Sequence, residues 1–380
     1  MDFNLTNEQQ LLRDGLTKFL ASRYDLATSR AAAKTGPGWQ PEIWRGFAEE
    51  LGILGATLPE EAGGIGGGAV ETMVIAEALG HALVIEPFVD TVVVAGGLLR
   101  RSGDATAASL LEDIVAGSVI VALAATEPTS GDNWRDVSTT ARRDGDQWVL
   151  NGSKVMAVSA PLATHVLVTA RTSGERADTS GISLILVDIA SLSTGFTAHP
   201  YRTVDDRRAS DLTFADVRVP ASALLGAEGQ AWPSLDLARD EGAAAVCAEA
   251  VGGMRKVLAD TVEYCKQRQQ FGLPIGSFQV LQHRMVDMHM EVEQAAAAVY
   301  LAVLNLDAEP PQRAKAVSAA KATIGRAARF VGQNAVQLHG GMGMTEELAI
   351  GHYFKRLTAV QYEFGSTDYH TGRYAELTRA

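Results

Sequence analysis

The sequence predicts an α+β protein built from three consecutive segments: a helical domain, a β domain and a helical bundle. Three observations carry this reading. Apolar residues recur at helical spacing through residues 1–117. Between 118 and 227 the chain breaks into short runs rich in β-branched residues, separated by turn signals. From 228 to 380 the helical spacing returns in long, alanine-rich stretches that suit close packing in a bundle. No convincing helix divides one β run from the next, so the middle segment reads as an antiparallel barrel or sandwich and not as a βαβ sheet.

The elements follow in order. Thr6 and Gln9 form a capping-box signature ahead of Leu12, Leu16, Phe19 and Leu20. A second helix carries Ile43, Trp44, Phe47 and Leu51; after the glycine-rich break GGIGGG come ETMVIAEALG and a helix around LLEDIVAG that stops at Gly117. The β runs are VIVALAAT, DQWVLNG, HVLVTAR, ISLILVD and SDLTFADVRV, with Asp144-Gly145 and Asn151-Gly152 as turns. Val246, Ala250, Gly253, Val257 and Tyr264 then mark one face of a long helix, and two further long helices follow, from SFQVLQHR to LNL and from QRAKAV to QLHG.

Charge and composition narrow the function. A net charge of −12 argues against a nucleic-acid groove or an anionic membrane surface, both of which call for a basic stripe. No apolar run spans a bilayer, and the opening MDFNLTNEQQ lacks the features of a signal peptide, so a cytoplasmic location is expected. Cys247 and Cys265 share one helical stretch and read as reduced core thiols. The histidines show no ligand spacing, so no metal is expected, and His283 and His289 are placed on bundle surfaces. Gly64 to Ala69 has G-x-G-x-x-A spacing, but helical flanks deny it the strand a dinucleotide fingerprint needs. HGGMG at 339–343 is similar to an esterase oxyanion loop, yet the chain holds no G-x-S-x-G elbow.

Two stretches combine residue types that suit a nucleotide. RQQFGLPIGSFQVLQHRMVDM begins at Arg268, whose guanidinium can take a pyrophosphate through paired charged hydrogen bonds, while Phe271 offers a ring face. In QLHGGMGMTEE, Gly340, Gly341 and Gly343 remove side chains, so that backbone N–H groups can approach a phosphate. On the residues alone, a pair of helix turns capped by glycine is an equal alternative.

These phrases, with LPEEAGGIG near 58, ATEPTSGD at 125, LNGSK at 150 and FADVRVPASALLG at 214, resemble the acyl-CoA dehydrogenase family of flavoproteins over nearly the whole chain. CAEAVGGMRKVL and GHYFKRL are similar to small subunits of heteromeric members, such as the pimeloyl-CoA dehydrogenase small subunit. The resemblance implies a helix–β–helix fold that ends in a four-helix bundle, FAD as cofactor, an acyl-CoA or acyl-carrier thioester as substrate and an electron-transfer flavoprotein as electron acceptor. It also implies a homo- or heterotetramer, a dimer of dimers with a homologous subunit. In such an assembly Arg268, Gln270, Phe271, Gln279, Gln337, Gly340, Gly341 and Gly343 grip the ADP half of a neighbour's FAD. Thr126 meets the isoalloxazine of the chain's own FAD, and Ser366 and Asp368 face the cofactor.

The departures from the family pattern fall on one side of that site. After NGSK the family commonly has Trp-Ile-Thr, whose threonine hydrogen-bonds flavin N5; here stand Met156, Ala157 and Val158. After T-E-P the usual Gly-x-Gly-Ser is Thr129, Ser130, Gly131 and Asp132. The base that removes the substrate α-proton must be a desolvated carboxylate. The family usually places a glutamate just before Gly-Thr in the C-terminal turn, where a gapless count puts Phe364 and leaves Glu363 one residue early. Its second solution, on the first bundle helix, falls on Gly242, with Glu241 one residue before. One helical residue is a rotation of about 100°. Glu241 and Glu363 are therefore the candidate bases, and a base supplied by a partner chain is the alternative. Two further readings stay open: an idle subunit that completes another chain's FAD site, and a flavin monooxygenase on the same fold.

Overall fold

The computed structural model describes residues 4–192 and 194–379, so the first three residues of the N-terminal stretch read above lie outside it. Six helices precede the sheet: α1 (Asn7–Arg23), α2 (Leu26–Thr35), α3 (Pro41–Glu49), α4 (Ala69–Ala82), α5 (Gly96–Ser102) and α6 (Ala105–Val115). The strands are β1 (Val121–Ala124), β2 (Thr140–Asp144), β3 (Gln147–Val158), β4 (His165–Arg171), β5 (Ile182–Asp188), β6 (Phe196–Arg202), β7 (Arg208–Pro220) and β8 (Leu224–Leu225). Then come α7 (Trp232–Gln267), a short hairpin of β9 (Gln269–Gln270) and β10 (Leu273–Pro274), α8 (Gln279–Val303), α9 (Pro310–His339), α10 (Ala349–Ala359) and α11 (Thr367–Arg379). The α+β class and the helix–β–helix order are those the sequence predicts. These elements form two units, one of Met1–Ser29, Ala69–Val84 and Ala243–Ala380, the other of Arg30–Gly68 and Ile85–Gly242.

The first unit is helical. Its opening helix is fixed by the expected capping box, with the Gln9 N–H donating to Thr6 Oγ1 at 3.2 Å and the Thr6 N–H to Gln9 Oε1 at 2.9 Å. Glycine sets how closely α4 and α7 pack: a Cβ on Gly80 would lie 1.9 Å from the Glu249 carbonyl oxygen, and one on Gly252 1.9 Å from that of Glu77. The central helix α9 is buried along a stripe of small residues that runs from Ala314 to Ala335. It also carries the fully buried Lys321, whose Nζ donates to the carbonyls of Val360 (2.9 Å), Gln361 (3.2 Å) and Gly365 (2.9 Å). That cation fastens the turn between α10 and α11.

The second unit is organised by an eight-stranded sheet in the order β6-β7-β3-β2-β4-β5-β8, with β1 added on β4. The ladders are antiparallel except for β1 against β4 and one β2–β4 bridge, Thr140 to Arg171. Trp148, Leu150, Val168, Ile185 and Phe214 meet in its core. The pairing of β3 with β7 slips between Lys154 and Ala157. This bulge places Met156 at φ +52, a left-handed conformation that costs a non-glycine residue energy and re-aims its side chain. Met156 is half exposed, and its N–H is held by Asp211 Oδ1 at 3.1 Å.

Candidate active site

At one end of the helical unit the chain leaves α7 through a two-residue hairpin. Phe271 and Gly272 both have positive φ (+56 and +79), the geometry of a tight primed turn. The turn lifts Phe271 until 92% of it is exposed, with the Phe278 ring centroid 6.2 Å from its own in an edge-to-face arrangement. The Arg268 side chain is exposed and makes no hydrogen bond or ion pair among the described residues, and Gln270 and Gln279 are exposed beside it. The sequence foresaw these residues as a cluster, and the structure places them together at the α7–α8 corner.

The second glycine-rich stretch lies at the same end. His339, the last residue of α9, stacks on Tyr264 of α7 with ring centroids 4.2 Å apart, which ties the end of α9 to the last turn of α7. Gly340 to Met344 then form a 3-10 turn, entered at Gly340 with φ +60. A Cβ on Gly340 or Gly341 would meet nothing within 4 Å, so space does not require glycine at either position, although the positive φ of Gly340 does. Gly343 differs: it is buried, and a Cβ there would come within 2.7 Å of the Val336 carbonyl oxygen. Gln337 is exposed on the final turn of α9, and its carbonyl accepts the Gly340 N–H. A free guanidinium, an exposed aromatic ring and two bare glycines fit the ADP half of a dinucleotide.

In the β unit, Thr126 follows β1, and its carbonyl accepts the Val155 N–H at 2.9 Å. The next residue, Glu127, forms a buried ion pair with Lys154 of β3 at 2.7 Å, with 1% and 0% of the two side chains exposed. Glu127 also accepts the backbone N–H of Ser138 (2.8 Å) and Thr139 (2.9 Å) and the Ser138 hydroxyl. Burial pushes the Glu127 carboxyl up, but the Lys154 charge and these donors outweigh it and hold it at about 2. Burial pulls the Lys154 ammonium down, and Glu127 offsets that only in part, leaving it at about 8. Neither residue stood out among the sequence candidates, although both lie in the phrases ATEP and NGSK.

Both candidate bases have arginine partners. In the second unit, Glu241 accepts from Arg101 of α5 at 2.9 Å through Oε1, while its Oε2 is buried and has no hydrogen bond. Gly97 makes room for this pair, since a Cβ there would lie 2.9 Å from Glu241 Oε2. In the first unit, Glu363 is paired at both oxygens with Arg356, one of the two bonds being 2.9 Å. Arg356 is buried and also grips the buried Glu249 through two bonds of 2.6 and 3.0 Å. Ser366 accepts the Tyr369 N–H at 3.2 Å as a cap for α11, and Asp368 is exposed in the first turn of that helix. Arg101 and Arg356 were missed from sequence. Arg101 is 140 residues from its partner and carries no local signal; Arg356 is only seven residues before Glu363, but α10 ends at Ala359 and the pair forms across the following turn, which no helical spacing marks.

Three family profiles match the chain in order: the acyl-CoA dehydrogenase N-terminal domain over residues 6–118, the middle domain over 122–217 and the C-terminal domain over 232–377. The chain is 33% identical over 355 residues to acyl-CoA dehydrogenase FadE12 of Mycobacterium tuberculosis, covering 91% of this chain and 89% of that one. It is 30% identical over 387 residues to the short-chain specific acyl-CoA dehydrogenase of Megasphaera elsdenii, with 97% of each covered. Among solved structures, the FAD complex of PigA superposes with a TM-score of 0.90 at 26% identity, covering 100% of this chain and 99% of that one. The ChsE4-ChsE5 complex of Mycobacterium tuberculosis gives 0.87 at 25% identity, covering 100% and 98%. The chain belongs to the acyl-CoA dehydrogenase family. It is an oxidoreductase acting on CH–CH bonds, and its cofactor is FAD.

Proposed function

We propose that this chain is a subunit that oxidises an acyl thioester to its α,β-unsaturated product, with Glu241 as the base. The observation that carries the reading is the asymmetry between the two carboxylates. Glu241 keeps one buried oxygen without a hydrogen bond, which leaves it a lone pair to accept a proton, whereas both oxygens of Glu363 are taken by Arg356. Bound FAD supplies the acceptor for the β-hydrogen, which leaves the substrate as hydride. Glu241 Oε2 takes the α-proton, so that the two hydrogens lost account for the new double bond. An electron-transfer flavoprotein then receives the electrons.

Arg268, Gln270, Phe271, Gln279, Gln337, Gly340 and Gly341 would hold the ADP half of FAD. The exposed Phe271 ring beside an Arg268 guanidinium that has no hydrogen bond or ion pair among the described residues supports a cofactor shared with a neighbouring subunit in a tetramer. Thr126 would lie along the ring system of the chain's own FAD, and by the resemblance Ser366 and Asp368 are residues that would face a cofactor. The resemblance to small subunits of heteromeric members, and the structural likeness to the ChsE4-ChsE5 complex, favour a homologous partner.

One observation favours a second reading. Val158 cannot donate where the family has a threonine, and Met156 stands in place of a flat ring. A subunit that completes a partner's FAD site without chemistry of its own would show that combination. The chain purified alone and with candidate partners, assayed for flavin and for anaerobic bleaching by acyl-CoAs, separates the two. Bleaching that requires Glu241 supports the first reading. Bleaching that survives Glu241→Gln and requires only the partner's carboxylate supports the second.

A further inference from the structure

We propose that the buried Glu127–Lys154 pair is a positioning latch that sets the two flavin-facing segments of the β unit against each other. The proposal rests on the reading above in one respect: it takes Thr126 and the run Met156–Val158 as the segments beside FAD.

The geometry makes Glu127 a hub. Its Oε1 accepts from Lys154 Nζ at 2.7 Å and from the Thr139 N–H at 2.9 Å, and its Oε2 accepts from the Ser138 N–H at 2.8 Å and from the Ser138 hydroxyl. Four donors fill the carboxylate, and they come from the approach to β2 and from β3. Lys154 extends the hub to β4 by donating to Thr169 Oγ1 at 2.9 Å. Beyond the side chain, Glu127 is fixed in a tight turn, where its N–H donates to Ser130 Oγ at 2.9 Å and its carbonyl accepts the Ser130 N–H at 3.1 Å.

The position of the hub gives it a consequence outside the core. Thr126 is the residue before Glu127, and its carbonyl holds the N–H of Val155, the residue after Lys154. The loop that carries Thr126 and the strand that bulges at Met156 are thus cross-linked twice, once through backbone and once through charge. The bulge begins at Lys154, where the β3–β7 register slips, so the ammonium is anchored at the last regular position before the strained Met156. Breaking the charge pair frees the loop to move relative to the bulge, and a displacement of about 1 Å at a preorganised site is enough for a large loss.

Fold stability alone does not require the charges. Replacing a buried ion pair by well-packed apolar groups of similar volume is often neutral, because desolvation of both ions offsets their attraction. This separates a positioning role from a structural one. The test uses Glu127→Gln combined with Lys154→Met in the chain co-purified with whatever partner it needs. The readouts are the FAD dissociation constant, the visible circular dichroism of the bound flavin and the unfolding midpoint of the FAD-free protein.

The latch predicts an FAD dissociation constant raised at least about tenfold and a changed flavin dichroism, with the FAD-free midpoint within a few degrees of wild type. FAD affinity within about twofold of wild type and an unchanged dichroic band overturn it. If the double variant does not fold, Ser138→Ala, which removes one donor and keeps both charges, is read in the same assays. A clear weakening of FAD binding then supports the latch, and wild-type affinity overturns it. A wild-type protein that binds no FAD at all would sink the functional reading and the latch together, whereas a wild type that binds FAD only as well as the variant does sinks the latch alone.

Discussion

Arg356 makes the strongest stability prediction. Its guanidinium lies between two carboxylates with 5% of its side chain exposed, gripping Glu249, itself 4% exposed, and Glu363, 20% exposed. Arg356→Met removes the cation and leaves Glu249 in a low-dielectric interior without it. Breaking a buried pair in this way costs about 3–5 kcal/mol. Glu363 adds little, because its carboxylate can turn towards water. For a unit of about 150–250 residues each kcal/mol shifts the midpoint by about 2–4 °C, so the loss amounts to roughly 6–20 °C. Differential scanning calorimetry near neutral pH measures it. Glu363→Gln is the contrast, since Arg356 keeps both bonds to Glu249; its cost stays within about 1 kcal/mol. The double variant Arg356→Met with Glu249→Gln recovers much of the single loss, because no buried carboxylate then remains without its cation. Equal midpoints for Arg356→Met and Glu363→Gln would refute the reasoning, as would a double variant no better than the single one.

Three further outcomes follow from other sites. The Glu127 carboxyl, held at about 2 against an ordinary 4.5, contributes stability that is present above pH 4.5 and is lost as pH falls through 2. That contribution is about 3 kcal/mol and is offset near neutral pH by the comparable cost of holding the Lys154 ammonium at about 8 instead of 10.5, so the pair as a whole adds little there. Glu127→Gln nonetheless flattens the acid limb of a pH–stability curve over this window. Burial drives the Cys247 thiol up to about 12, and Cys265 is also buried and raised, so neither reacts with a thiol reagent in the native protein at pH 8 until denaturant is added. Arg268→Ala lowers FAD occupancy of the purified protein with no change in unfolding midpoint of the FAD-free form, because the exposed side chain makes no hydrogen bond or ion pair among the described residues; full FAD retention would count against its assignment.

Much of the fold was legible because burial follows period. The helical spacing of Leu16, Phe19 and Leu20 names a buried face, and the apolar, β-branched runs HVLVTAR and ISLILVD name strands whose side chains are almost all buried. Strand β6 was not legible. Its sequence FTAHPYR sits at a sheet edge with most side chains exposed and a proline within it, so it lacks the alternating pattern that marks a half-buried strand. The site divides in the same way. Arg268, Phe271 and the glycines lie in contiguous phrases, and local turn chemistry brings them to one corner of the bundle. The electrostatic partners of the carboxylates come from distant elements, Arg101 from α5 and Glu249 from mid-α7, and no local pattern announces a contact across 140 or 107 residues. A one-residue register mismatch at Glu241 and Glu363 was visible in the sequence, but what each carboxylate touches was not.

The central claim is that this chain oxidises an acyl thioester with Glu241 as the base. Its most direct test is anaerobic titration of the FAD-loaded protein with acyl-CoAs of graded chain length, comparing wild type, Glu241→Gln and Glu363→Gln. Proton abstraction by Glu241 predicts loss of the oxidised flavin absorbance in wild type and in Glu363→Gln, and a stable oxidised spectrum in Glu241→Gln with FAD still bound. Wild-type bleaching in Glu241→Gln would contradict it.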